Sequence, residues 1–175
     1  MTATKSLLKR VGALAMAMAL TCVLAVSAGA AETNSGTETC SVTFYKRSGT
    51  GISMANDAVA GQATVTTAED GSIEVVIPIA PLYNYTAMGI FTADGYLTRV
   101  TMPSATGTIV ATSANSGSRA GTPYATANLI ITADGMPADG RFVVTDSMIN
   151  LYKVGTGSAY WMKHVTPAFV IALSL

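Results

Sequence analysis

Gln62-Ala-Thr-Val-Thr-Thr-Ala-Glu-Asp-Gly-Ser-Ile-Glu-Val-Val-Ile77 is the stretch that decides the fold class. Gln62–Thr67 and Ser72–Ala80 alternate apolar and polar side chains and are rich in β-branched residues, which is typical of strands that bury one face. Glu69-Asp70-Gly71 between them predicts a hairpin turn. Pro78 lacks a backbone N–H, so we expect the second strand to lie at a sheet edge or to end nearby.

The residues before this hairpin predict one more strand and one short helix. Cys40–Arg47 alternates and is rich in β-branched and aromatic residues, and Ser48-Gly49-Thr50-Gly51 ends it. Ser53–Val59 has helical character, with Ser53 as its N-terminal cap. This segment is too short to be stable alone.

The residues after the hairpin read as further short strands. Pro81–Tyr85 predicts a loop, and Ala93-Asp94-Gly95 predicts a hairpin turn between strands Met88–Thr92 and Tyr96–Met102. The remaining strands are predicted at Thr108–Thr112, Tyr124–Thr132, Arg141–Leu151, Tyr160–Thr166 and Ala168–Leu173. No long helical period occurs. The fold class is therefore predicted as all-β, an immunoglobulin-like antiparallel β-sandwich with one short helix.

The first 30 residues form a predicted signal peptide. Lys5, Lys9 and Arg10 precede an uncharged run over Val11–Val26, and Ser27–Ala30 offers a cleavage site of small residues. The apolar run is shorter than the roughly 20 residues of a membrane-spanning helix. We therefore expect a secreted or cell-surface protein whose mature chain has no membrane span. A retained N-terminal anchor, or lipid attached to Cys22, is the alternative.

The mature chain is expected to begin at Ala31 with a flexible leader over 31–39, followed by a single β-sandwich domain over 40–175. Cys40 is its one cysteine and suits a half-buried strand position, a free thiol or a pairing between chains. Three of the ten basic residues lie in the signal, so the mature chain has three more acidic than basic residues. Without a basic stripe, we expect no nucleic-acid partner, and anionic membranes are poor partners.

The sequence favours binding over catalysis. His164 is the only histidine, which excludes a metal site of two histidines within one chain. Asp146, Ser147 and His164 could be drawn as a catalytic triad, but the spacing of a nucleophile elbow is missing. We therefore predict that the protein is not an enzyme.

A late strand carries the residues with the most chemistry. In Tyr160-Trp-Met-Lys-His164, alternation places Tyr160, Met162 and His164 on one face. Phenolate and imidazole are both axial ligands of haem iron, so these residues could line a slot for a flat apolar ligand. The same three residues also suit an exposed edge strand with Met162 turned inward.

Several of these segments resemble the NEAT family, near-iron-transporter modules of Gram-positive cell surfaces. The resemblance lies in strand Ser41–Lys46, in Ser53-Met-Ala-Asn-Asp-Ala-Val59, in the hairpin Gln62–Ile77 and in the late paired strands. It is best over Ser41–Ile77, fair over 124–175 and poor over 81–123. It implies an immunoglobulin-like sandwich and, as in many members, haem binding.

The resemblance also implies roles for individual residues. Ser53 would contact a haem propionate and Met54 would cover one face of the ring, while Tyr160 would ligate the iron. His164 stands where the family has a second tyrosine that hydrogen-bonds the first. His164 would orient Tyr160, ligate the iron itself, or do neither.

Two functions are therefore expected. The first is a secreted haem- or porphyrin-binding module for iron acquisition, with haem or a haem-carrying protein as its partner. Phenolate ligation would favour ferric iron, and release would follow reduction or transfer. The alternative is a non-catalytic extracellular interaction or adhesion module, which could self-associate through exposed strands.

Export is tested by the intact mass of the protein recovered from culture medium. We expect a chain that begins at Ala31, because the small residues Ala28-Gly29-Ala30 precede it. A mass that still includes residues 1–30 would contradict cleavage. The mass of a chain that begins at Cys22 and carries added lipid would support the anchored alternative.

Overall fold

The hairpin of the opening sequence forms as predicted. The structure is a computed structural model that describes residues 35–87, 91–114, 124–153 and 164–174. Strands β2 (Ala63–Thr67) and β3 (Ile73–Ile79) pair antiparallel from Thr64↔Val76 to Thr67↔Ile73. In the turn, the Asp70 carboxylate accepts from the N–H and the hydroxyl of Ser72 at 2.9 and 2.6 Å. These hydrogen bonds lower the pKa of Asp70.

The described strands form two antiparallel sheets. The other strands are β1 (Gly36–Lys46), β4 (Leu82–Ala87), β5 (Phe91–Thr101), β6 (Thr106–Ser113), β7 (Thr126–Ala133), β8 (Arg141–Val144), β9 (Asp146–Lys153), β10 (His164–Val165) and β11 (Phe169–Ser174). The first sheet has the order β6-β7-β3-β2-β1-β11-β8, and the second has the order β10-β9-β5-β4. Buried side chains of both sheets share one hydrophobic core. The predicted immunoglobulin-like antiparallel β-sandwich is confirmed.

Strand β1 joins two halves of the first sheet. Its residues Gly36–Cys40 pair with β2, while Ser41–Lys46 pair with β11. Behind the second half, Phe44 stacks on Phe169 with ring centroids 4.9 Å apart, and both rings are fully buried. Gly36–Thr39 already pair with β2. β1 therefore begins within the predicted leader, four residues before the predicted start of the domain at residue 40.

The predicted turn at Ala93-Asp94-Gly95 and the predicted loop at Pro81–Tyr85 are wrong. Leu82–Tyr85 lies in β4 and Ala93–Gly95 lies in β5, and these two strands pair with each other. Gly95 lies in the strand because it allows close packing: a Cβ there would be 3.1 Å from Ile149 Cγ2 and 3.2 Å from Leu151 Cδ2. A sequence that is typical of turns thus lies within a strand, where its glycine lets the neighbouring strand approach closely.

The predicted strand Arg141–Leu151 is divided between the two sheets. β8 pairs with β11, and β9 pairs with β5. At the break, the Thr145 N–H donates to the Thr101 carbonyl at 2.9 Å, and the Thr145 hydroxyl reaches the same oxygen at 3.2 Å. Backbone bonding to β5 therefore takes over from bonding to β11 at this residue. The expectation for Pro78 is confirmed, since β3 ends at Ile79.

Tyr124 connects the two sheets through the core. Its hydroxyl donates to the Leu97 carbonyl of β5 at 2.8 Å, and its ring packs edge-to-face on Tyr96 at 5.8 Å. The side chain is buried, and this burial raises the pKa of Tyr124 above its ordinary value. The segment that leads into β7 of the first sheet is thereby fixed on the second sheet.

Tyr124 predicts that the fold loses stability in alkali. The raised pKa means that the phenol ionises more readily in the unfolded chain, at about pH 10. Its contribution is therefore fully present below that pH and is lost as the pH rises further. Tyr124→Phe should lower the free energy of unfolding by about 1 kcal/mol at neutral pH and flatten its alkaline decline. Urea titrations at several pH values measure both, with the exposed Tyr83→Phe as the control.

An alkaline decline that is equally steep in Tyr124→Phe and in the unmodified chain would contradict this role of Tyr124.

Candidate functional site

A short 3₁₀ helix, Met54–Ala58, follows β1 and carries the first predicted site residues. Ser53 is its N-cap, as predicted, and the Ser53 Oγ accepts from the Ala55 N–H at 3.3 Å. Ala55 and Ala58 are buried against the core. The predicted helix over Ser53–Val59 is therefore confirmed, with its buried face made of small residues.

Two hydrogen bonds tie this helix to β1 at Phe44. The Ser53 N–H donates to the Phe44 carbonyl at 2.8 Å, and the Phe44 N–H donates to the Asn56 Oδ1 at 2.9 Å. Because β11 lies on the other side of Phe44, the helix lies along the edge of β1 that faces away from β11. The sequence did not predict this role of Asn56, because it depends on a contact across a turn.

The start of the helix presents apolar side chains to solvent. Ile52 is 59% exposed and Met54 is 41% exposed, while Ser53 between them is 5% exposed. As N-cap, Ser53 uses a lone pair of Oγ, so its O–H proton can be donated to a ligand. These three residues, Ile52–Met54, are called the Ser53 region, which combines exposed apolar side chains with one buried hydroxyl.

The second group of predicted site residues belongs to the late strand that carries His164. His164, on β10, is exposed and directly opposite Asn150 of β9. Val165 is directly opposite Ile149, whose side chain belongs to the core. Since neighbours along a strand point to opposite faces, His164 points to the outward face of the second sheet. Tyr160 and Met162 lie at 154–163, outside the described residues, so their positions stay predictions.

The chain between β10 and β11 limits the separation of the two groups of predicted site residues. Ser53 lies beside Phe44, whose partner on β11 is Ile171. His164 precedes Ile171 by seven residues, a span of up to about 23 Å at roughly 3.3 Å per residue. This span is an upper limit set by the chain between β10 and β11, which belong to different sheets.

The alternative triad of Asp146, Ser147 and His164 does not assemble. Ser147 is fully buried, and its hydroxyl donates to the Pro167 carbonyl. Asp146 pairs instead with Arg99 at 2.8 Å. Ser147 lies on the core face of β9, whereas His164 is on the outward face, so serine and histidine cannot act on the same substrate atom.

Other chemical features of the described ranges are few. No group of three or more His, Cys, Asp or Glu side chains in those ranges gathers to hold a metal ion. None of the helices there has the length and apolar character that a membrane span needs. Cys40 is buried as a free thiol, and burial raises its pKa. The predicted half-buried strand position is thus more deeply buried than expected.

A groove lined by both polar and apolar side chains at one end of the first sheet was not predicted. Its volume is about 520 Å³, and its lining includes Thr66, Ser72, Glu74, Thr106, Thr132 and Asp134. Four of these residues come from neighbouring strands at paired positions, Thr66↔Glu74↔Thr132↔Thr106. The start of β3 contributes to this groove, whereas Val59 after the 3₁₀ helix pairs with Ile79 at the end of β3. The groove and the Ser53 region therefore lie at opposite ends of β3.

No protein-family model matches the chain, and the curated proteins contain no match. Among solved structures, the NEAT5 domain of IsdX2, a B. anthracis hemophore, in complex with haem aligns with 81% of this chain and 97% of its own, at 14% identity and a TM-score of 0.41. A mutant of the same domain, also with haem, aligns with 81% and 96% at 14% identity and a TM-score of 0.42. Both are NEAT domains, the family that the sequence resembles.

Asn56→Ala should release the 3₁₀ helix from β1. The substitution leaves the Phe44 N–H without its acceptor at a partly buried position, which costs about 1–3 kcal/mol. Chemical denaturation measures this loss, and Asn56→Asp is the matched control because it keeps an acceptor oxygen. Equal stability of Asn56→Ala and the unmodified chain would show that the bond does not hold the helix.

Proposed function

We propose that the chain is a secreted haem- or porphyrin-binding module for iron acquisition, which holds its ligand between the Ser53 region and the hairpin of β9 and β10. The observation that carries this proposal is the exposed apolar pair Ile52 and Met54 beside the buried hydroxyl of Ser53. Binding sites for flat organic ligands typically combine apolar walls with a few fixed polar groups. The sequence resemblance points to the same ligand.

The Ser53 region would bind the rim and one face of the ring. Ile52 and Met54 supply side chains that lose contact with water when a ring covers them, which stabilises the complex. The Ser53 O–H would donate to a carboxylate of the ligand, and hydrogen bonds to charged groups are the stronger kind. The cap bond to Ala55 holds the Ser53 oxygen in place before the ligand arrives.

The hairpin would supply the iron ligand. Tyr160 is proposed as the ligand, with Met162 and His164 on the same strand face. The outward direction and exposure of His164 support this, since alternation along a continued strand would turn Tyr160 and Met162 the same way. Haem, as the cargo, brings an iron that a phenolate binds best in its ferric form. The protein's residues hold the ring and keep the iron ligated until reduction or transfer to a haem-carrying protein releases it.

A non-catalytic interaction or adhesion module is the second candidate. Strand β6, Thr106–Ser113, is a terminal strand of the first sheet and pairs with β7 among the described strands. It has no charged residue and no proline, and Val110 is 45% exposed. Edges of this kind lack the usual protection against pairing with another strand. This observation favours self-association through β6.

Haemin titration followed by the Soret absorbance band tests the first function. Tyr160→Phe keeps the ring and removes the ligating hydroxyl, so we expect a changed spectrum and an affinity lower by on the order of 10–100-fold. Tyr83→Phe, at an exposed tyrosine of β4, is the matched control and should leave both unchanged. An unchanged spectrum and affinity of Tyr160→Phe would overturn the assignment of the iron ligand.

The same titration separates the two functions. Metal-free protoporphyrin keeps the apolar contacts and the hydrogen bond from Ser53 and lacks only the iron, so Met54→Ala should weaken its binding while Tyr160→Phe should not. If neither haemin nor protoporphyrin binds, the haem-binding proposal is wrong. Sedimentation that shows dimers in the unmodified chain and monomers in Val110→Lys would then support the interaction module.

A further inference from the structure

A row of three directly paired residues crosses three strands of the second sheet. Tyr96 of β5 is directly opposite Asn150 of β9, and Asn150 is directly opposite His164 of β10. Side chains at opposite positions of an antiparallel pair lie on the same face, with Cβ atoms about 4.5–5.5 Å apart. Asn150 therefore lies between a buried phenol and an exposed imidazole.

One end of the Asn150 amide already has a partner. The Asn150 Nδ2 donates to the Tyr96 hydroxyl at 3.3 Å. A side-chain amide has its donors on one side and its acceptor oxygen on the other. With Nδ2 turned to Tyr96, Oδ1 is left to accept a hydrogen bond from a different neighbour.

The Tyr96 end of the row is fixed in the core. Tyr96 is buried and packs edge-to-face on Tyr124, whose hydroxyl is bonded to the Leu97 carbonyl. A phenol held in this way keeps the orientation of the amide that donates to it. Asn150 is half-buried, so the row runs from a rigid core residue to an exposed histidine.

We propose that Asn150 is a positioning residue for His164: its Oδ1 accepts the N–H of the imidazole and fixes which ring nitrogen carries the proton. A neutral imidazole has one donor and one acceptor nitrogen. When the donor faces Asn150, the other nitrogen presents its lone pair toward the ligand. Its use there rests on the proposed function, since outer partners of this kind orient the residues that contact a metal or its ligand.

Nuclear magnetic resonance of the ligand-free protein tests the proposal. His164 is the only histidine of the chain, so the imidazole ¹⁵N signals belong to it without assignment. We expect one predominant tautomer in the unmodified chain, and a mixture closer to that of free imidazole in Asn150→Ala. Tyr96→Phe should shift the mixture in the same direction by less, because it removes the group that orients the amide.

Two further variants complete the test. Met148→Leu changes another residue of β9 on the outward face, opposite Arg99, and should leave the imidazole signals unchanged. Asn150→Leu is similar in size but has no acceptor oxygen, so it should give the same mixture of tautomers as Asn150→Ala. This variant keeps the proposal testable if Asn150→Ala fails to fold. Imidazole signals that are the same in all variants, or two equally populated tautomers in the unmodified chain, would overturn the proposal.

Haemin binding distinguishes this inference from the proposed function. Asn150→Ala should change the Soret band or lower the haemin affinity by about tenfold, whereas Met148→Leu should do neither. If the unmodified chain binds no haemin but Asn150→Ala still changes the tautomers, the proposed function fails and the positioning role stands. If haemin binds and the tautomers do not respond to Asn150→Ala, the positioning role alone is wrong.

Discussion

Phe44 is the residue on which the rest of the structure depends. Its ring stacks on Phe169 in the core, at the half of β1 that pairs with β11. On the other edge of β1, both of its backbone hydrogen-bonding groups bind the 3₁₀ helix, through Ser53 and Asn56. The same residue thus holds two strands together by burial and holds the candidate site in place by hydrogen bonds.

The predicted site residues lie in two groups that differ in how they are held. The Ser53 region is fixed to β1 by its cap and by Asn56, and it presents Ile52 and Met54 to solvent. His164 is held by the pairing of β10 with β9 and is exposed. The two groups are therefore held by different sheets, the Ser53 region by β1 and His164 by β9.

Local signals made part of this structure predictable. The hairpin at Gln62–Ile77 and the cap at Ser53 follow from alternation, turn residues and a hydroxyl before a short helix, all within a few residues. Gly95 could not be predicted, because its close packing depends on Ile149 and Leu151, which are distant in sequence. The roles of Asn56 and Asn150 depend in the same way on which strands become neighbours. Asparagine has no alternation pattern or spacing that would mark it for such a contact.

Mapping a porphyrin on the folded protein tests the central claim most directly. Gallium(III) protoporphyrin is a diamagnetic analogue of ferric haem, so backbone amide shifts can be followed in a titration by nuclear magnetic resonance. The account predicts that the largest shifts occur at Ile52, Ser53 and Met54 and at His164, with small shifts in the groove around Glu74 and Thr132. Shifts that are confined to that groove, or no shifts at a saturating concentration, would contradict it.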